Sequence, residues 1–361
     1  MTEVKEFEAI GVQDYDNWLE PKKFTYKPRA MGPLDVDVKI IACGICGSDI
    51  HAASGEWGRP YSPIAVGHEI VGHVVAMGSE VGTRFKLGDR VGVGPQCGSC
   101  GHCSRCTNHI ENNCRKMVLT YGTPYEDGTG TQGGYASHIR ANAKWVFKIP
   151  DGMETIHAAP LLCGGMTGFS PLLSAGVKKG TKVGVSGIGG IGHMTILFAK
   201  ALGAEVTAIS RNDKKRDLAK KLGADHYIST SAPDFPEAYY DSLDLIVNTA
   251  STFSEGHIKE VMNLLKPRSK FHFITAPPAS EKVEIDPAFF LMNDYSIGGS
   301  ASGGPSEIQY MLNFAAEHEI KPWVETIDIN EENVSTAWKR MLDGDVKFRF
   351  VLTGYDKYFK D

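Results

Sequence analysis

Five of the chain's eight cysteines stand in one short stretch, PQCGSCGHCSRCTNHIENNC, at positions 97, 100, 103, 106 and 114. Cys100, Cys103, Cys106 and Cys114 have the spacing C-x2-C-x2-C-x7-C. Two-residue gaps let a turning loop aim successive thiolates at one centre, and four of them complete a closed tetrahedral Zn²⁺ shell. A closed shell offers substrate no open position, so this site braces a loop and does not react. A register beginning at Cys97 has two short gaps, then ten residues to Cys114, and leaves Cys106 unused. Cys97 is therefore placed outside the tetrahedron and given no role, and none is given to Cys43.

The remaining candidates for metal chemistry are scattered. CGICGSDIH holds Cys43 and Cys46 with Ser48, Asp49 and His51; VGHEIVGHV follows with His68 and Glu69; Cys163 stands in LLCGGMTG. Two cysteines and a histidine with an open fourth position make a catalytic zinc arrangement. Spacing alone does not assemble these residues, because a buried Cys or His is commoner than a ligand.

A third pattern is GIGGIG, Gly187 to Gly192, between the apolar run TKVGVS and an amphipathic run. That context is what a dinucleotide-binding glycine turn requires. Gly187 permits the tight turn, Gly189 lets the backbone approach a pyrophosphate, and Gly192 lets the helix pack on the strand. The helix N-terminus then presents free N–H groups to phosphate. An NAD enzyme places Asp or Glu after the next strand, on the adenosine ribose. Here that place reads SRNDKK, with Ser210, Arg211 and Lys215, and Asp213 lies past the turn. A hydroxyl, a guanidinium and an ammonium hold a 2′-phosphate that a carboxylate would repel. The cofactor read from this turn is NADP(H).

These residues need elements to position them. Residues 1–150 read as short strands broken by turns: DVDVKIIACGI, EIVGHVVAMG and GDRVGVGP mark an antiparallel, barrel-like unit. From about residue 156 helix and strand alternate, as in RDLAKKLGADHYIS, LDLIVNTA, HIKEVMNLLKP and KFHFITAPP. That alternation predicts a parallel sheet with helices on both faces. The tail, SEIQYMLNFAAEHEIKPWVETIDI to VKFRFVLTG, could close the first unit or extend the second.

The 361 residues suffice for two domains with their own cores. A formal charge of −5 gives no footprint for a polyanion, which counts against a nucleic-acid zinc module. The N-terminus lacks the pattern of a signal peptide. No segment approaches the roughly 18 apolar residues of a membrane span. The expectation is a cytoplasmic protein, in which clustered thiols stay reduced and hold metal.

Together CGICGSDIH, GEWGRPYSPIAVGHEIVGHV, the four-cysteine loop, LLCGGMTGFSPL and GIGGIG followed by SRNDKK resemble the zinc-dependent medium-chain alcohol dehydrogenases, over nearly the whole chain. Within them the cinnamyl alcohol dehydrogenase group is most similar, its fungal NADP-dependent members of broad aldehyde specificity above all. The resemblance implies an α/β fold: a GroES-like β-barrel catalytic domain plus a Rossmann doubly wound parallel-sheet cofactor domain. The implied divisions are 1–155, carrying the structural zinc loop 95–114, then 156–297, then 298–361 returning to the catalytic domain. Two Zn²⁺ per chain are implied. Cys46, His68 and Cys163 would hold the catalytic one, and Cys100, Cys103, Cys106 and Cys114 the structural one.

By the same resemblance Ser48 would contact the reacting oxygen and His51 would end a proton relay. Asp49 would orient the zinc ligands, and Glu69 would sit behind the metal. The implied cofactor contacts are Gly47, Thr167, Gly187, Gly189, Gly190, Ile191, Gly192, Ser210, Arg211, Lys215, Thr249 and Ser300. At Gly47 the plant enzymes carry a histidine, so no side-chain contact to the pyrophosphate is expected there. Trp57 would wall a substrate pocket with Met117, Leu119 and the neighbouring Tyr121; core packing is the competing reading for Trp57. The implied activity is reversible, NADPH-dependent reduction of aromatic and medium-chain aliphatic aldehydes by a homodimer, with no nucleic-acid or membrane partner. An NAD-linked polyol or short-chain alcohol dehydrogenase is the rival on the same fold, opposed by SRNDKK. A non-catalytic relative is the other, opposed by the intact set Cys46, His68, Cys163, Ser48 and His51.

Overall fold

The alternating run DVDVKIIACGI forms the strand Asp35–Ile45, buried along almost its whole length. In the computed structural model, which describes residues 6–232, 235, 237–250, 255–275 and 286–359, this strand is the spine of a 7-stranded sheet. It pairs antiparallel with Glu69–Met77, with His138–Asn142 and with Arg349–Thr353. Asp35 to Lys39 alternate polar with apolar residues, and the remainder, IIACGI, is apolar throughout because both faces are covered there. Asp37 on this strand is taken fully inside with Arg140, whose guanidinium donates at 2.7 and 2.8 Å to the two carboxylate oxygens. A bidentate pair is the arrangement that offsets the cost of burying both charges.

The tail closes this unit. Arg349–Thr353 joins the spine, and the helix Glu331–Leu342 delivers Trp338, fully buried, against Tyr135 and Trp18. Truncating a tryptophan so placed costs about 3–5 kcal/mol.

Residues Gly164–Ser302 form the second compact unit. Its six parallel strands run, edge to edge, His226–Ser229, Glu205–Ser210, Lys182–Ser186, Leu243–Asn248, Leu265–Phe273 and Ser296–Gly299. The chain starts in the middle, winds out one way and then back the other, so its switch point lies between the first and fourth strands. Met166–Ser174 and Gly192–Ala201 pack together with Phe169 and Phe198 4.6 Å apart, centroid to centroid.

The units divide at Cys163/Gly164 and Ser302/Gly303, later than the 155/156 and 297/298 taken from the sequence. The helix Thr155–Pro160 packs on the strands Asp35–Ile45 and Glu69–Met77 of the first unit, and Ser296–Gly299 is hydrogen-bonded into the parallel sheet. A change of rhythm in the sequence marks where elements change type, not where packing changes partner. The end of KFHFITAPP, from residue 276, lies outside the described residues. No described helix is long and apolar enough to cross a membrane.

Candidate functional site

The loop cysteines come together as a cage. Sγ–Sγ distances are 3.8 Å for Cys100–Cys106, 3.6 Å for Cys103–Cys106, 3.9 Å for Cys103–Cys114 and 3.6 Å for Cys114–Cys100. A zinc–sulfur bond of about 2.3 Å gives tetrahedron edges of roughly 3.8 Å, so the cage is of the right size. All eight cysteines of the chain are free thiols. Backbone N–H groups of His102 and Cys103 hold the Cys100 thiol down to about 6, which favours the thiolate a metal needs. Cys97 is not part of this cage: its Sγ lies 3.3 Å from the Leu119 carbonyl oxygen and 3.6 Å from the Tyr125 hydroxyl. Burial pushes it up to about 12, so it remains a neutral thiol.

The second group forms inside the first unit, where Cys46, His68, Glu69 and Cys163 bring ligand atoms within 4.8 Å of one another, all buried. Each comes from a different device. Cys46 is the N-cap of the helix Gly47–Ala53, and its own N–H donates at 2.8 Å to Asp49. Glu69 opens the strand Glu69–Met77 with His68 immediately before it, and Cys163 lies in the π-helical turn Leu161–Gly165. The Cys46 and Cys163 sulfurs are 4.0 Å apart, too far for a disulfide and near a zinc tetrahedron's edge. His68 Nε2 is buried without a hydrogen-bond partner among the described residues, while its Nδ1 is engaged on the other side. An imidazole held by one nitrogen with the other bare and buried is posed as a metal ligand. The donor set fits zinc with an open position.

Charged and polar groups surround the ligands. Asp49 lies 3.1 Å from His68 Nδ1 and accepts the Gly67 N–H at 3.1 Å. Glu69 is paired with Arg349 inside the barrel. Burial pushes the Glu69 carboxyl up to about 7, against the pull of the Arg349 cation. Between Cys46 and Cys163 a shared hydrogen bond holds the Cys46 thiol low and the Cys163 thiol high.

Ser48 and His51 occupy the helix that Cys46 caps. Ser48 Oγ is 3.7 Å from Cys46 Sγ. His51 is half-exposed, pairs through Nδ1 with Glu56 at 2.6 Å and stacks on Trp57 with centroids 4.9 Å apart. Trp57 is 64% exposed, which excludes core packing, and Met117 and Leu119 are exposed as well. Tyr121 lies beside His68. It is buried, and its hydroxyl is 2.9 Å from His68 Nδ1, because the chain turns inward at Thr120 and Tyr121 after the exposed pair. Glu56 and Arg349 were not found from the sequence. Arg349 sits 280 residues from Glu69 along the chain and nothing local marks it.

In the second unit a cavity of about 750 Å³ lies at the sheet's switch point. It is lined by Gly187, Gly189, Ser210, Arg211, Lys215 and Thr249 among others. Gly187 has φ +90, and a Cβ there would meet the Ala250 nitrogen at 2.9 Å; at Gly189 a Cβ would meet nothing within 4 Å. The backbone at Gly189 therefore stands open to the cavity. Thr249 Oγ donates at 2.6 Å to the Gly187 carbonyl oxygen, and Lys215 Nζ at 2.7 Å to that of Ile188, so the start of the glycine turn is pinned. Among the described residues no carboxylate lines the cavity. Thr230, Ser231 and His257 also line it and were missed, since they follow later strands rather than the motif.

Gly190, Ile191 and Gly192 continue from the turn into the helix and are not among the lining residues, nor are Thr167 and Ser300. Thr167 is buried in the helix Met166–Ser174, and Ser300 Oγ is 2.9 Å from His272 Nε2. Gly47 opens the helix capped by Cys46, with no neighbour within 4 Å of a Cβ placed there.

Comparison with known proteins places this geometry. Residues 32–151 match the alcohol dehydrogenase GroES-like domain, and 190–317 the zinc-binding dehydrogenase family. The NADP-dependent alcohol dehydrogenase 6 of Saccharomyces cerevisiae is 45% identical over 100% of both chains. A cinnamyl alcohol dehydrogenase structure from Sorghum bicolor is similar at TM-score 0.90 and 34% identity, over 97% of this chain and 98% of the other. The enzyme of Helicobacter pylori complexed with NADP(H) is similar at TM-score 0.88 and 33% identity, over the same shares.

Proposed function

The chain belongs to the zinc-binding alcohol dehydrogenase family, and from that premise we propose that it reduces aldehydes to primary alcohols with NADPH, reversibly. Its substrates are aromatic aldehydes of the cinnamaldehyde and benzaldehyde type and medium-chain aliphatic aldehydes. The observation that carries the reading is the buried set Cys46, His68 and Cys163 with His68 Nε2 bare, and with Ser48 beside Cys46.

Zinc held by Cys46, His68 and Cys163 would supply Lewis acidity to a carbonyl oxygen, and NADPH the hydride for its carbon. The chain's own residues do the rest. Ser48 Oγ, beside Cys46, donates the proton that the developing alkoxide needs. His51, half-exposed and paired with Glu56, is placed to exchange protons with solvent. Asp49 orients His68 through Nδ1 and caps the helix that carries Cys46, so one carboxylate fixes two ligands. Trp57, Met117 and Leu119 offer an apolar surface to the aldehyde's side chain. In the second unit Ser210, Arg211 and Lys215 hold the 2′-phosphate, and the open backbone at Gly189 receives the pyrophosphate. Cys100, Cys103, Cys106 and Cys114 hold a structural zinc.

The protein works as a homodimer in the cytoplasm. Support for the dimer comes from the edge strand Ser296–Gly299 and the adjacent Leu291 and Met292, which are 81% and 84% exposed. The test is a panel of cinnamaldehyde, benzaldehyde, hexanal and polyols with each cofactor. NADPH is expected to exceed NADH in kcat/KM, with cinnamaldehyde and benzaldehyde among the best substrates. A preference for NADH and a polyol would install the rival dehydrogenase instead.

A further inference from the structure

Tyr121 has no part in the mechanism above, yet it is one of the groups nearest the buried ligands. Its hydroxyl is 2.9 Å from His68 Nδ1, and its ring centroid is 5.4 Å from the imidazole. Asp49 is heavily used: Oδ2 accepts the Cys46 N–H and Oδ1 the Gly67 N–H, with His68 Nδ1 also 3.1 Å from Oδ1. A carboxylate shared among so many donors gives each a weaker hold. An ionised carboxylate can only accept, so Nδ1 presents a hydrogen to Asp49, and the Tyr121 hydroxyl can accept from that same Nδ1–H. In that arrangement Nδ1 must carry the hydrogen, which leaves Nε2, the buried atom without a partner, as a bare lone pair.

We propose that the Tyr121 hydroxyl is a positioning group for His68, locking the tautomer and ring angle in which Nε2 binds the catalytic metal. The proposal rests on the reading of Cys46, His68 and Cys163 as a zinc site. Tyr121 is not a catalytic residue, since it works through His68. It supplies a second hydrogen-bond partner beside the carboxylate at the same nitrogen, Nδ1, so the ring angle is set from two directions and not one. Outer partners of this kind are typically worth about 10–100-fold in metal affinity or activity.

The experiment follows the release of zinc from the intact holoenzyme to a chromogenic chelator, for wild type and Tyr121→Phe, with residual activity sampled alongside. The variant removes one oxygen and keeps the ring. The two zincs serve as each other's control. The expected result is that the equivalent whose loss tracks activity leaves about tenfold faster in Tyr121→Phe, while the other leaves at the wild-type rate. Replacement of the catalytic ion by Co²⁺ gives a second readout, in which the visible d–d bands shift in the variant. Unchanged release and unchanged bands overturn the proposal. So does equal acceleration of both phases, which would make Tyr121 a general packing residue. A wild-type enzyme that binds a single zinc overturns the premise instead, and zinc counting on the wild type alone reveals it.

Discussion

The loop cage and the buried trio use the same thiol chemistry but are assembled in opposite ways. In the cage, Cys100 and Cys114 are 14 residues apart, and Cys100 and Cys103 remain partly open to solvent. In the trio, Cys46 and Cys163 are 117 residues apart, and every donor is buried. The cage needs only backbone N–H groups and a turning loop around it. The trio needs Asp49, Arg349 and Tyr121, because donors taken out of water must have partners or they cost several kcal/mol each. A local, closed site braces, whereas a dispersed and buried one can leave a position free for substrate. The physical difference lies in what surrounds the sulfurs and not in the sulfurs.

That contrast is open to direct attack. The largest effect belongs to the trio: Cys46→Ser or His68→Ala should lower kcat by about a thousandfold or more, the several kcal/mol that Lewis-acid stabilisation supplies. The metal count should fall from about two to one and the thermal midpoint should change little. A large loss of midpoint with modest loss of kcat would reverse the roles of the two clusters.

The cage should give the mirror image. Cys103→Ala is expected to remove one zinc and lower the midpoint by many degrees, since binding free energy at a structural site is folding free energy. Molecules still folded at low temperature should retain activity within about tenfold.

The glycine-turn cavity provides a third, intermediate case. Arg211→Ala should raise KM for NADPH by roughly 10–100-fold while leaving NADH little affected, as expected for the loss of a charge-assisted contact to a phosphate. An equal rise for both cofactors would move Arg211 off the 2′-phosphate. Trp57→Ala should narrow the preference for aromatic over short aldehydes by about 1–3 kcal/mol in kcat/KM. Cys97→Ser is the smallest of the set. Both zincs should remain, with a stability change of about 1 kcal/mol, because the hydroxyl keeps the neighbours at Leu119 and Tyr125. Loss of one metal in that variant would shift the register of the cage.

The degree to which each site was readable follows the same division. The cage and the glycine turn were legible because their residues are neighbours in the chain, and short gaps constrain where the side chains go. SRNDKK was legible for the same reason, as it sits on the turn that follows Glu205–Ser210. Cys46, His68 and Cys163 were brought together only by resemblance to a known family, since spacing does not unite residues so far apart. Glu56 lies five residues from His51, yet nothing in GEWG says that it turns back on the ring. That the Tyr121 hydroxyl meets His68 was not readable beside Met117 and Leu119, since its partner lies 53 residues away along the chain.

The sequence by itself determined the barrel's spine, the doubly wound alternation, the four-cysteine loop and the glycine turn, each through hydrophobic period or short spacing that acts locally on the backbone. Tertiary structure decided which unit received the tail, by burying Trp338, and which cysteines met His68. It also turned Tyr121 inward onto His68 and paired Arg349 with Glu69. Burial and long-range pairing depend on where strands from opposite ends of the chain meet, and no window of residues carries that information.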